Sequence, residues 1–332
     1  MASKTSTILK YLLFVGLAML LLWLAFRKTD PAELWESLRH ADYRFVLLSM
    51  LMGYAAYISR GMRWLLLLET MNYKPKPWAS IHSVAIGYFA NMAVPRAGEV
   101  ARCTSLNKLE EIPVSKLFGT VIVERTLDFI MLISFVSGAL LTSYSSFTAF
   151  FSTATGGTST SETSFFESPV FFVLLAGLAF FFFLYLFRNR LTRLPIYSKI
   201  RSFLAGVWEG FQAVFRMKKK LAFLLHTLFI WIMYYLMVYV VIFAIPETQD
   251  LSAANMLFVM VAAGMGMVVP VPGGVGAYHY LVVLSLGLLG ISDTVGLSFA
   301  TLVHSGQSVM AIITGVIAML YIYYRKRKSL LV

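Results

Sequence analysis

The stretch Asn91-Met-Ala-Val-Pro95-Arg96-Ala-Gly98-Glu99-Val-Ala-Arg102 and its later counterpart Pro270-Val-Pro272-Gly273-Gly274-Val-Gly276 decide how this chain is read. Each follows an apolar run, 80–94 in the first case and 252–269 in the second. Runs of about 15 to 18 residues, at roughly 1.5 Å per residue, reach some 22–27 Å, short of a hydrocarbon core of about 30 Å. Pro95, Pro270 and Pro272 remove backbone donors, and Gly98 permits close backbone approach. Backbone unwinds at that depth only where protein buries it or a wet cavity solvates it. Interrupted segments at corresponding places in two halves point to a transporter's substrate site.

Hydrophobic residues make up 59% of the chain and charged residues 13%. That balance excludes an ordinary soluble domain. The net charge of +12 would suggest nucleic acid in a soluble protein, but here the basic residues sit mainly in loops beside apolar runs. No nucleic-acid partner is expected. Cys103 is the only cysteine, so no disulfide or metal cluster is implied, and neither metal nor cofactor is expected.

Full spans are predicted at 8–26, 44–68, 114–142, 170–187, 221–245 and 294–323. The expected fold is an all-α polytopic membrane protein with about six full transmembrane helices and two broken, re-entrant helical hairpins. Residues 1–332 form a single transmembrane domain with halves at 1–145 and 168–324. The shared order of span, broken hairpin and long span makes the halves an inverted repeat. Laid on one another, Gly87 falls on Gly264, Pro95 on Pro272 and Gly138 on Gly315.

Lys and Arg crowd the connection 188–220, a basic and partly amphipathic stretch, and the tail Arg325-Lys326-Arg327-Lys328. The loops 143–168 and 247–250 contain neither. This asymmetry puts both termini in the cytoplasm of a multi-pass inner-membrane protein. The loop 27–44 is basic on the wrong side, and its 31–41 portion reads as an amphipathic helix on the membrane surface.

Arg96 and Arg102 offer guanidinium forks suited to phosphate, with Glu99 as counter-charge and Asn91 preceding the break. Span 114–142 carries Glu124, Arg125 and Asp128, with Glu124 about 15 Å along it, near the bilayer midplane. A lone charge there costs roughly 2.5–3.5 kcal/mol on insertion scales. The cluster is therefore either a substrate or proton site or a buried salt bridge to Arg60 or Arg63. Gly273, Gly274 and Gly276 expose backbone amides that suit an anion, and His304 is a protonatable group near the register of Asp128.

These motifs, in this order, resemble the lysylphosphatidylglycerol synthase transmembrane family, which includes the flippase domain of the bacterial multiple peptide resistance factor. The resemblance covers residues 8–324. It implies movement of lipid from the inner to the outer leaflet. The last predicted span ends close to Val332, with no soluble synthase domain after it, so lipid aminoacylation is not implied. The expected function is a flippase-like transporter in the bacterial inner membrane, with no catalytic residues. Its partners are membrane lipids: an anionic or aminoacylated phospholipid, or a lipid-linked sugar. An intramembrane lipid-modifying transferase and a non-transporting scaffold are the alternatives. Oligomeric state stays open, a homodimer included.

Overall fold

Two hairpins, each bent at a proline-glycine break, lie between long helices in a computed structural model that describes residues 4–154 and 217–329. In chain order the helices are α1 (Lys4–Phe26), α2 (Pro31–His40), α3 (Tyr43–Glu69), α4 (Pro77–Ala93), α5 (Gly98–Glu110), α6 (Val114–Thr142) and α7 (Tyr144–Ala154). Then follow α8 (Lys220–Tyr239), α9 (Ala253–Val268), α10 (Ala277–Gly287) and α11 (Asp293–Ser329). The predicted span 170–187 and nearly all of the connection 188–220 lie outside the described residues.

The boundaries follow local chemistry. Pro77 opens α4, where its missing N–H costs nothing, and Val94 turns extended ahead of Pro95. Ser252 caps α9 by accepting from the Asn255 amide at 3.1 Å. Gly276, at φ +84°, starts α10. Asp30 caps α2, which bends 86° away from α1 and packs its Leu34 and Leu38 partly against the core, with no residue fully buried. Residues 143–154, expected as the start of a Ser/Thr-rich loop, instead form α7, turned 109° from α6.

Three helical stretches, Tyr43–Glu69, Lys220–Ala244 and Asp293–Arg325, are long and apolar enough to cross a membrane, and the described residues hold up to five spans if each bent pair counts as one. The chain is an all-α polytopic membrane protein.

The hairpin arms pack face to face, α4 on α5 and α9 on α10. Across the chain, α3 packs on α8, α6 on α9, and α11 on α4. Gly138 of α6 lets Leu257 of α9 approach, and Gly315 of α11 lets Phe89 of α4 do the same. One pairing differs from the sequence alignment. Gly266, not Gly264, closes the second hairpin against Ala277 and Tyr278, and the position of Gly264 opens onto free space.

The first hairpin depends on backbone contact at Gly98. A Cβ there would press into the Gly87 carbonyl oxygen and the Asn91 side chain. Gly98→Ala is expected to destabilise the chain by about 1–3 kcal/mol. Thermal unfolding in detergent checks this, and a wild-type midpoint would show that α4 and α5 separate freely.

Candidate functional site

Arg60 and Arg63 stand one turn apart on α3, and Glu124 and Asp128 one turn apart on α6, so the two helices present matching pairs of opposite charge. Asp128 takes Arg60 on one oxygen and Arg63 on the other, each at 3.0 Å. Glu124 is fully buried, bonded by Arg102 from α5 and faced by Arg63 Nε at 3.7 Å. Arg63 also donates to Thr227 of α8 at 3.1 Å. Arg102 lies over the Trp64 ring, 4.8 Å from its centroid, and the Trp64 indole N–H donates to Thr120 at 2.7 Å. One network of charge-assisted bonds thus ties α3, α5, α6 and α8 together.

A cavity of about 610 Å³ lies on one side of this network. Both breaks open onto it: Asn91, Pro95 and Arg96 from the first, Pro270, Gly273 and Gly274 from the second. The breaks also meet directly, since Met92 Cα is 3.7 Å from where a Cβ on Gly273 would sit. Of the charged groups expected on the path, Arg60, Arg96, Glu99, Arg125 and Asp128 line the cavity. His304 lines it too, its Nε2–H donating to the Gly273 carbonyl at 2.9 Å.

Three expected residues are placed elsewhere. Glu124 and Arg102 are sealed behind the cavity wall in the ion network, the salt-bridge alternative for that cluster. Gly276 backs onto α1, where a Cβ would strike the Ala18 carbonyl and come within 2.9 Å of the Leu22 amide nitrogen. Gly98 makes the close backbone approach expected of it, against the Gly87 carbonyl.

The ion pairs on the wall differ in what they leave over. Arg125, half exposed, reaches Glu99 at 3.3 Å and Asp128 at 3.8 Å. Arg96 sits exposed at the apex of the first break with φ +63°, an uncommon backbone state outside glycine, and has no ion pair or side-chain hydrogen bond among the described residues. Strained backbone of this kind gathers at binding sites.

An aromatic box around Arg60 was not legible beforehand. Tyr57 stacks on Tyr88 with ring centroids 4.0 Å apart, and the Tyr88 and Tyr234 hydroxyls are hydrogen-bonded at 2.7 Å. The Arg60 guanidinium lies 6.0 and 5.9 Å from the Tyr88 and Tyr234 ring centroids. In a chain that is 15% aromatic, three tyrosines on three helices carry no signal of their own. The only clue was that a deep arginine needs partners. Among the described residues no group of His, Cys, Asp and Glu could hold a metal ion.

The chain is 33% identical over 139 residues to the UPF0104 membrane protein PH1989 of Pyrococcus horikoshii, covering 40% of each chain. It is 28% identical over 120 residues to the UPF0104 membrane protein MJ1595 of Methanocaldococcus jannaschii, covering 35% of each. The chain therefore matches about two fifths or less of the length of these curated relatives. No solved structure matches it. Residues 8–315, however, match the family described as the lysylphosphatidylglycerol synthase TM region, and the chain belongs to that family.

Proposed function

We propose that this chain is a flippase-like transporter that carries a lipid headgroup between leaflets of the cell membrane, with both termini in the cytoplasm. One observation carries the reading: two unwound helix breaks meet at a single cavity of about 610 Å³ that holds charged side chains inside a largely apolar bundle. Protein at membrane depth leaves backbone unwound where it lines such a cavity. The crossed contacts of α6 with α9 and α11 with α4 support an inverted repeat, the usual frame for alternating access. No Gly-x-x-x-x-Gly-Lys-Ser/Thr motif occurs, so the driving force is an ion gradient or downhill lipid flow.

The acyl chains need their own place. A mostly apolar groove of about 260 Å³ runs between α3, α4 and α11, with exposed Leu47, Leu51, Ile313 and Ile317 at its rim. Tyr57 lines both this groove and the cavity. An acyl chain in the groove places its headgroup beside Tyr57, which acts as the partition. Tyr57→Ala is expected to raise the translocation rate several-fold by joining the two spaces, whereas an unchanged rate would assign lipid access to another side.

Leaflet-resolved labelling of fluorescent lipids in proteoliposomes tests the main reading, with recovered lipid run on thin-layer plates. Translocation above protein-free vesicles, with the lipid chemically unchanged, is the expected result. A chemically altered lipid would move the chain to the transferase class, and no translocation of any lipid would end the transporter reading.

A further inference from the structure

The cavity wall has unused hydrogen-bond donors and an unmatched positive charge, which fixes the sign of what it can hold. Of its charged residues, Arg60, Arg96 and Arg125 are cationic and Glu99 and Asp128 anionic. Both Asp128 oxygens are taken by Arg60 and Arg63, with Arg125 at 3.8 Å beside them. Glu99 is paired with Arg125 through one oxygen at 3.3 Å. Arg96 is matched by no carboxylate among the described residues.

The neutral groups lean the same way. Arg60 lines the cavity, is 4% exposed, and its buried Nε–H has no hydrogen-bond partner among the described residues. Tyr278 lines it too, and its buried hydroxyl has no partner among the described residues either. The Gly273 carbonyl, an acceptor at the second break, is already occupied by His304. An acceptor-rich anion satisfies these groups together. A cationic headgroup would meet the guanidiniums and find no free carboxylate.

We infer, resting on the transporter reading, that the lipid this cavity takes has a net anionic headgroup. The chemistry is a phosphate ester with no ammonium to balance it, gripped by Arg96 with the Arg60 guanidinium behind it. The family resemblance alone would lead to an aminoacylated, cationic headgroup, and the wall of this cavity opposes that charge. A neutral lipid-linked sugar would leave Arg96 without a counter-charge.

The test uses the full chain in neutral phosphatidylcholine vesicles, with trace fluorescent phosphatidylglycerol, phosphatidylethanolamine or lysylphosphatidylglycerol. Phosphatidylglycerol is expected to cross about tenfold faster than lysylphosphatidylglycerol, with phosphatidylethanolamine between them. Arg96→Gln removes one charge-assisted contact to the phosphate and should slow phosphatidylglycerol about tenfold, and phosphatidylethanolamine, whose ammonium already offsets the phosphate charge, by a smaller factor. Arg96 has no side-chain partner among the described residues, so the variant should keep the wild-type unfolding midpoint. Lysylphosphatidylglycerol crossing as fast as phosphatidylglycerol, or equal slowing of every lipid by Arg96→Gln, overturns the inference. Inorganic phosphate separates lipid from free anion. Failure of millimolar phosphate to compete supports the lipid, and competition equal to that of short-chain phosphatidylglycerol removes the lipid assignment. Should no lipid cross, the transporter reading fails by itself. Thermal stabilisation by short-chain phosphatidylglycerol over short-chain phosphatidylcholine then still supports the anionic site, and equal stabilisation overturns it.

Discussion

Glu124→Gln is expected to destabilise the chain by about 3–5 kcal/mol, the usual cost of removing one partner from a buried ion pair. The carboxylate is fully buried, and its partner Arg102 is 4% exposed, so the orphaned guanidinium can reach no water. Arg63 would keep Asp128 at 3.0 Å, which confines the damage to Arg102 and the α5–α6 contact. Arg102→Met should cost a similar amount for the reciprocal reason. The double variant Arg102→Met/Glu124→Met should recover most of the loss, because well-packed apolar residues replace a buried pair at little cost. Unfolding midpoints of the detergent-purified variants decide it. A Glu124→Gln protein as stable as wild type would mean that the carboxylate is not structural, and would reopen proton exchange at that position.

Glu124 also marks where sequence reasoning stops. Its spacing from Asp128 put both carboxylates on one face of α6, and both do turn toward α3 and α5. Helical periodicity gives a direction and says nothing of what arrives from elsewhere in the chain. Arg102, brought in by the fold-back of the first hairpin, covers Glu124, while Asp128 one turn on reaches the cavity. The breaks themselves were legible because Pro95 and Pro270 must end a helix whatever surrounds them. Gly276 was misplaced for the opposite reason: a glycine marks close approach without naming the neighbour, which here is α1.

Gly264→Trp is expected to bring translocation down to the rate of protein-free vesicles without harming the fold. Gly264 lies inside α9, faces the cavity, and has nothing among the described residues within 4 Å of a Cβ built upon it. Glycine in a helix interior is about 1 kcal/mol less favourable than alanine, so replacing it removes a local weakness. The indole then projects into the space between the two breaks, where a passing headgroup would have to go. Gly119→Trp is the matched control: Gly119 also has no neighbour within 4 Å among the described residues, but it is exposed on α6 outside the cavity lining. That variant should fold and transport as wild type does, separating the effect of a plugged path from that of an added tryptophan. If Gly264→Trp kept both the wild-type unfolding midpoint and the wild-type rate, the lipid would have to cross somewhere else. The charges of Arg60, Arg96 and Arg125 would then need an explanation other than transport.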